Sequence, residues 1–336
     1  MFKLTASFIK NLNFKSIPSV YIDDEISNGI ESDDVIDIDA KIRAIDTIRN
    51  IFHQMTIQQK DGKNRGFIPP KSYHTVKDVI EDILNNLQKN KESLFNMVQV
   101  MSTDLSTYVH CVNVAVLSIL TGKGMGFSRS ELIDLGTGAL MHDIGKAEIP
   151  IEIINKPDKL TDEELEMIKR HAVLGYQAVK ENNSVSTFIK TIILMHHERL
   201  DGSGYPLGVM GDKINKYTRI VSICDVFDAL ISDKVYREKM PIYKALELIE
   251  CQVGRKLDEK IYKVFVKNIS IFPPGIGVKL SSGETGVVIE NNKLSPTRTK
   301  IRIIKNKNGE FSTGFKVIDL MKELTIFIED TCDVSV

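Results

Sequence analysis

The stretch IKTIILMHHERLDGSGYP, residues Ile189–Pro206, decides how this chain is read. It opens on apolar residues at helical spacing, Ile189, Ile192 and Ile193, and ends in two adjacent histidines, His196 and His197, beside Glu198, Arg199 and Asp201. Paired imidazoles with charged neighbours at the end of an apolar helix are hard to justify as core packing, so the stretch points to a site. Gly202, Gly204, Tyr205 and Pro206 then read as a defined loop. Glycine permits backbone conformations closed to other residues, and proline limits the exit direction.

Working outward, the same pattern of polar groups set in apolar helix recurs. The run LGTGALM leads into His142 and Asp143, followed by Ile144, Gly145 and Lys146, which reads as the end of a buried helix with glycine relieving the turn. Adjacent residues on a helix diverge by about 100°. His142 and Asp143 therefore reach one cluster only near a frayed end or beside two ions. His110 lies one turn before Asn113, and His171 is carried by a helix whose start is marked by Thr161, Glu163 and Glu164. Asp225 interrupts the apolar run IVSICDVFDAL. A buried carboxylate without a partner is expensive, so a metal or a cationic group is expected beside it.

Taken one at a time, a His-Asp pair serves equally well as a satisfied interior hydrogen bond, and His110 or His171 alone fits an ordinary core or surface position. Recurrence carries the weight: of seven histidines, five fall in this block, at 110, 142, 171, 196 and 197. Imidazole and carboxylate together suit first-row divalent metals, and a two-ion site must collect its ligands from several helices. Oxygen and nitrogen donors leave several metals open and exclude only a thiolate site.

From Val76 onward, helix-period apolar spacing predicts an all-α central block. Before it, a helical period at Phe8, Ile9 and Leu12 leads into the β-like run Ser19–Ile22 and an acidic stretch to Asp39. A second helix is predicted from about Ala40 to His53, ended by the segment KDGKNRGFIPPK. After Pro273, Pro274 and Gly275 the runs GVKL, TGVVIE and KIRIIKN predict a small antiparallel β tail. The expected fold is mainly α: a small α/β N-terminal segment (1–65), a linker helix (66–95), a helical bundle (96–272) and a β-rich tail (273–336).

Lys and Arg (44) nearly balance Asp and Glu (45), leaving a formal charge of −1 over 336 residues, which gives no bulk drive towards DNA or an anionic membrane. An anionic ligand must therefore be held locally. The cysteines at 111, 224, 251 and 332 are too scattered for a disulfide framework and contain no CxxC pair, which fits a reducing cytoplasm. Neither a signal peptide nor a membrane span is read.

The order H, HDIGK, H, HHERLDGSGYP, DVFDAL, over about residues 95–270, resembles the HD-GYP family, the branch of the HD phosphohydrolases whose known members hydrolyse cyclic di-GMP. The resemblance implies an HD-type all-helical bundle, with His110, His142, Asp143, His171, His196, His197 and Asp225 as metal ligands. Asp143 would bridge two divalent ions, iron or manganese, and a hydroxide held between them would open the ring to linear pGpG, with GMP as a further product. Lys146 would meet a phosphate oxygen, and the loop of Gly204, Tyr205 and Pro206 would face the ligand or a signalling partner. Where the family has arginine nine residues after Asp225 this chain has Lys234, with Arg237 as the compensating cation. Relatives that hold a third ion use a glutamate one turn before the first histidine. Ser106 stands there, so two ions are expected, although Asp104 and Glu148 lie nearby in sequence. The competing readings are a mixed cyclic dinucleotide or another phosphoester as substrate, a catalytically idle dinucleotide receptor, and a docking surface for signalling proteins. Oligomeric state is not readable from the sequence.

Overall fold

The computed structural model describes residues 5, 24, 26–30, 35–60, 67–89, 95, 105–232, 240–292, 295–312, 314 and 316–333. The expectations for Phe8–Leu12 and Ser19–Ile22, and for Asp104, Lys234 and Arg237, lie outside the described residues.

Helix α3 (Ser106–Gly124) is apolar nearly all round and is buried continuously from Val109 to Gly122, as a central helix must be. Around it pack α1 (Ile38–Lys60), α4 (Arg129–Met141), α9 (Lys216–Ile231) and α11 (Glu259–Val266). Helix α2 (Pro70–Lys89) lies against α1 and α4, and α10 (Ile242–Glu250) against α9. A 3-10 turn (Ile144–Glu148) follows α4, then the short α5 (Ile151–Ile154), α6 (Asp162–Lys169), α7 (His171–Val179) and α8 (Thr187–Met195).

Side-chain caps set where these helices begin. Ser128 and Glu131 form a reciprocal capping box on α4, and Thr161 and Glu164 form another on α6. Ser186, Asn215 and Asp258 cap α8, α9 and α11. The helix expected to run on to His171 is divided at Arg170, so that His171 opens α7. Helix α1 is longer than the predicted Ala40–His53, because no breaker interrupts it before Gly62. Its Ala44, Ile45, Ile48, Ile51 and Met55 belong to the same buried core as α3 and α4.

The tail is a five-stranded antiparallel sheet in the order β4-β3-β2-β1-β5. The predicted runs form β1 (Gly277–Leu280), β2 (Thr285–Glu290) and β3 (Lys300–Lys305). Strands β4 (Val317–Asp319) and β5 (Ile328–Thr331) were not foreseen; VID and IEDT are broken by acidic residues and form no apolar β-branched run. Tyr243 Oη donates to Asp330 Oδ1 (2.6 Å) and Asn291 Nδ2 to Ser270 Oγ (2.6 Å), tying sheet to helices. Among the described residues no helix is long and apolar enough to cross a membrane.

Candidate metal centre

All seven residues singled out as ligands meet inside the bundle, delivered by five helices and the turns that end them. His110 comes from the first turns of α3, and His142 and Asp143 from the end of α4. His171 opens α7, His196 and His197 close α8, and Asp225 lies in mid-α9. Their ligating atoms form two groups that share Asp143: one with His171, His196 and His197, the other with His110 and His142. Within each group these atoms lie within 4.8 Å of one another. Asp225 faces both, with Oδ1 3.2 Å from His110 Nε2 and Oδ2 3.5 Å from His197 Nδ1.

The backbone decides which imidazole nitrogen faces the centre. Nδ1 of His142, His171 and His196 contacts the carbonyl oxygens of Ala139 (2.7 Å), Ile168 (2.7 Å) and Ile193 (3.0 Å). A carbonyl can only accept, so each Nδ1 carries the proton and each Nε2 turns a lone pair inward. His171 Nε2 and His196 Nε2 stand 3.1 Å apart, lone pair against lone pair. His142 Nε2 and Asp143 Oδ1 are buried without a hydrogen-bond partner, a condition costing roughly 1–3 kcal/mol each if nothing binds there. A set of neutral nitrogens and anionic oxygens that hydrogen bonds leave unsatisfied fits a divalent cation.

The charges agree. Burial opposes protonation of four of the five histidines: it pulls His171 down to about 4 and His197 to about 3, and lowers His142 and His196 as well. They are neutral, and ligand-competent, at neutral pH. Burial alone would raise the Asp143 carboxyl, but Lys146 and the surrounding imidazoles overturn that and hold it well below the usual carboxylate range. Asp225 is likewise driven down against its burial, by the His110 contact and by His197. Lys146 salt-bridges Asp143, whose charge overcomes burial and keeps the ammonium protonated.

The reading of Gly145 changes. It has no positive φ and relieves no turn; a Cβ there would stand 2.0 Å from the His171 carbonyl oxygen and 2.5 Å from the Gly175 nitrogen. Glycine is required because α7 crosses directly over the turn after Asp143, which is how His171 comes 3.3 Å from Asp143 Oδ1.

Asp228 escaped the sequence reading, as did the roles of Glu198 and Arg199. Asp228, fully buried, takes His110 Nδ1 on Oδ2 (2.6 Å) and Asn113 Nδ2 on Oδ1 (2.9 Å), so it aims His110. Its spacing of three from Asp225 was the available signal. Glu198 Oε1 accepts from the amides of Leu207 (2.7 Å) and Gly208 (3.2 Å), fastening the loop. Arg199 Nη1 bonds the Glu198 carbonyl (2.9 Å) and Ser222 Oγ (2.6 Å), locking the loop to α9. In the loop, a Cβ on Gly204 would fall 2.4 Å from Glu198 Cα, so only glycine lets the chain fold back. The following Tyr205 then stacks on His197, ring centroids 4.6 Å apart, and Pro206 follows through a cis peptide. Ser106 and Glu148 lie together in the lining of an adjoining cavity, which Lys146 also reaches.

The fold is an HD-type helical bundle, and this cluster could hold a metal. The sequence profile of the HD domain matches residues 75–261, and the chain belongs to the HD domain family. The profile of the KOW domain associated with HD domain matches residues 277–335, the β tail. The chain is similar to a cyclic di-GMP phosphodiesterase of Pseudomonas aeruginosa, 31% identical over 243 residues, 72% of this chain and 58% of that protein. It is similar also to a 3'3'-cGAMP-specific phosphodiesterase of Vibrio cholerae, 36% identical over 164 residues, 49% of this chain and 35% of that protein. It thus spans less than two thirds of the length of these relatives. Among solved structures, an HD-GYP-like protein from Bdellovibrio bacteriovorus aligns with a TM-score of 0.54 at 21% identity, over 67% of this chain and 69% of that one, a likeness of fold.

Proposed function

We propose that this chain is a metal-dependent phosphodiesterase that opens a cyclic dinucleotide, cyclic di-GMP ahead of the mixed GMP-AMP ring, to a linear dinucleotide. Two divalent ions, iron or manganese, would be held by His110, His142, Asp143, His171, His196, His197 and Asp225, with Asp143 common to both. The observation that carries this reading is the shared Asp143 beneath two sets of inward imidazoles, with two Nε2 lone pairs only 3.1 Å apart.

When bound, the ions supply Lewis-acid charge at the phosphate and acidify water to a nucleophile at neutral pH. The chain's own residues do the rest. Lys146, partly exposed at the rim, offers its ammonium to a non-bridging phosphate oxygen as negative charge grows there. Tyr205, supported by its stack on His197 and half-buried, presents a ring edge and hydroxyl to the ligand, on a loop shaped by Gly204 and Pro206. Lys234 and Arg237 are the further cations assigned to phosphate. The same loop is the assigned contact for a signalling partner.

The test is product chromatography with anaerobically iron- or manganese-loaded protein, given cyclic di-GMP and the mixed ring in parallel, with chelated apoprotein as control. Linear dinucleotide or mononucleotide formed only with metal is the expected result. No product from protein with demonstrably bound metal would refute the reading.

A further inference from the structure

A cavity of about 1080 Å³ opens beside the metal centre, from Lys146 to the exposed side of α1. Its size is close to the upper end of the roughly 300–1,000 Å³ that ligand pockets occupy, ample for half of a cyclic dinucleotide and more. One wall is α1, which precedes the matched HD segment at 75–261. The apolar stripe of α1 faces the core through Ile45, Ile48 and Phe52, and this turns Arg49, Asn50 and His53 into the cavity. Two contacts fix that wall: Thr56 Oγ1 donates to the Ala147 carbonyl (3.4 Å), next to Lys146, and Phe52 packs edge-on against Tyr108 of α3 (5.3 Å).

We infer that Arg49 of α1, together with Glu152 of α5, forms the base-recognition subsite of this centre and selects guanine over adenine. The inference rests on the phosphodiesterase reading. With one phosphate at Lys146, the attached nucleoside extends into the cavity. The lining there is not an anion cradle, because Arg49 is already paired with Asp46 (2.7 Å) and Glu152 adds a negative charge. It is suited instead to a neutral ring with acceptors on one edge and donors on another. Guanine presents O6 and N7 to a guanidinium fork, and its N1–H and N2–H₂ to a carboxylate. Adenine offers an N6–H₂ donor where guanine has O6, and lacks the N1–H.

The experiment compares kcat/KM for cyclic di-GMP, cyclic di-AMP and the small diester bis(p-nitrophenyl) phosphate in wild type, Arg49→Ala, Arg49→Lys and Glu152→Ala, all metal-loaded to measured content. Arg43→Ala, on α1 but outside the cavity and paired with Asp82, is the control. The expected result is at least a tenfold fall in the ratio of cyclic di-GMP to small-diester efficiency in Arg49→Ala. Arg49→Lys recovers little of it, since a point charge does not replace a fork, and Glu152→Ala narrows the preference for guanine over adenine. Ratios within twofold of wild type in both Arg49→Ala and Glu152→Ala would overturn the subsite while leaving the phosphodiesterase reading intact. A wild type that cleaves the small diester but no cyclic dinucleotide would overturn the reading of the substrate, and the subsite with it.

Discussion

Asp228→Asn removes a charge without removing volume, and its effect can be worked out from three bonds. Oδ2 of the fully buried carboxylate accepts from His110 Nδ1 (2.6 Å) and Ser232 Oγ (3.2 Å), and Oδ1 accepts from Asn113 Nδ2 (2.9 Å). Whichever way the new amide turns, its NH₂ faces a donor. One buried donor then lacks an acceptor, which costs about 1–3 kcal/mol. At about 2–4 °C per kcal/mol for a large domain, the thermal midpoint of metal-free protein falls by roughly 2–12 °C. The second effect is on metal. Loss of a partner behind a ligating imidazole weakens binding by about 10–100-fold, and His110 belongs to only one of the two ligand groups. Chelator competition, following metal content stepwise, should therefore show one dissociation constant raised and the other held near its wild-type value. Two constants within twofold of wild type, together with an unchanged thermal midpoint, would refute the assignment of Asp228 as the group that aims His110.

Stripping metal should lower the thermal midpoint, and adding it back at about 100 times the dissociation constant should restore about 2.7 kcal/mol per site, read by calorimetry over a metal titration; a midpoint indifferent to metal would contradict the unsatisfied His142 and Asp143 atoms. Gly145→Ala should cost at least about 1–3 kcal/mol by overpacking against backbone and weaken metal retention by pushing α7 away from Asp143, measured by urea unfolding and metal analysis. Glu131, on the capping box of α4, is held down at about 2 by its bonds to Ser128 and Lys216. A depressed carboxyl contributes stability that is whole above its unfolded value near 4.5 and is lost as the pH falls towards 2. The difference in thermal midpoint between wild type and Glu131→Ala should accordingly be constant above pH 5 and shrink between 4.5 and 2; a gap that widens on acidification would reverse the sign of the linkage.

Much of the local structure was legible because its causes are local. Thr161 with Glu164 marks a helix start within four residues, and GVKL, TGVVIE and KIRIIK show their strands by β-branched or alternating runs set between turn segments. The ligand residue types stood out because imidazoles and carboxylates interrupted apolar helix. Less was readable where the cause is a contact between distant segments. The glycine of HDIGK looked like a turn residue until α7 was seen to cross it, and Asp228 was passed over because its partner His110 lies 118 residues away. Strands β4 and β5 carry acidic residues in place of an apolar run and exist through pairing with β3 and β1.

By itself the sequence determined which donors are present, in what order, and that they lie on or at the ends of helices, since helical period and caps act within a turn or two. Only the tertiary structure decided which ring nitrogen each histidine turns inward, that Asp143 lies common to two groups, and that α1 walls the cavity beside Lys146. Those outcomes depend on carbonyls and side chains separated by tens to hundreds of residues, and close packing alone brings them within the 3–4 Å at which they act.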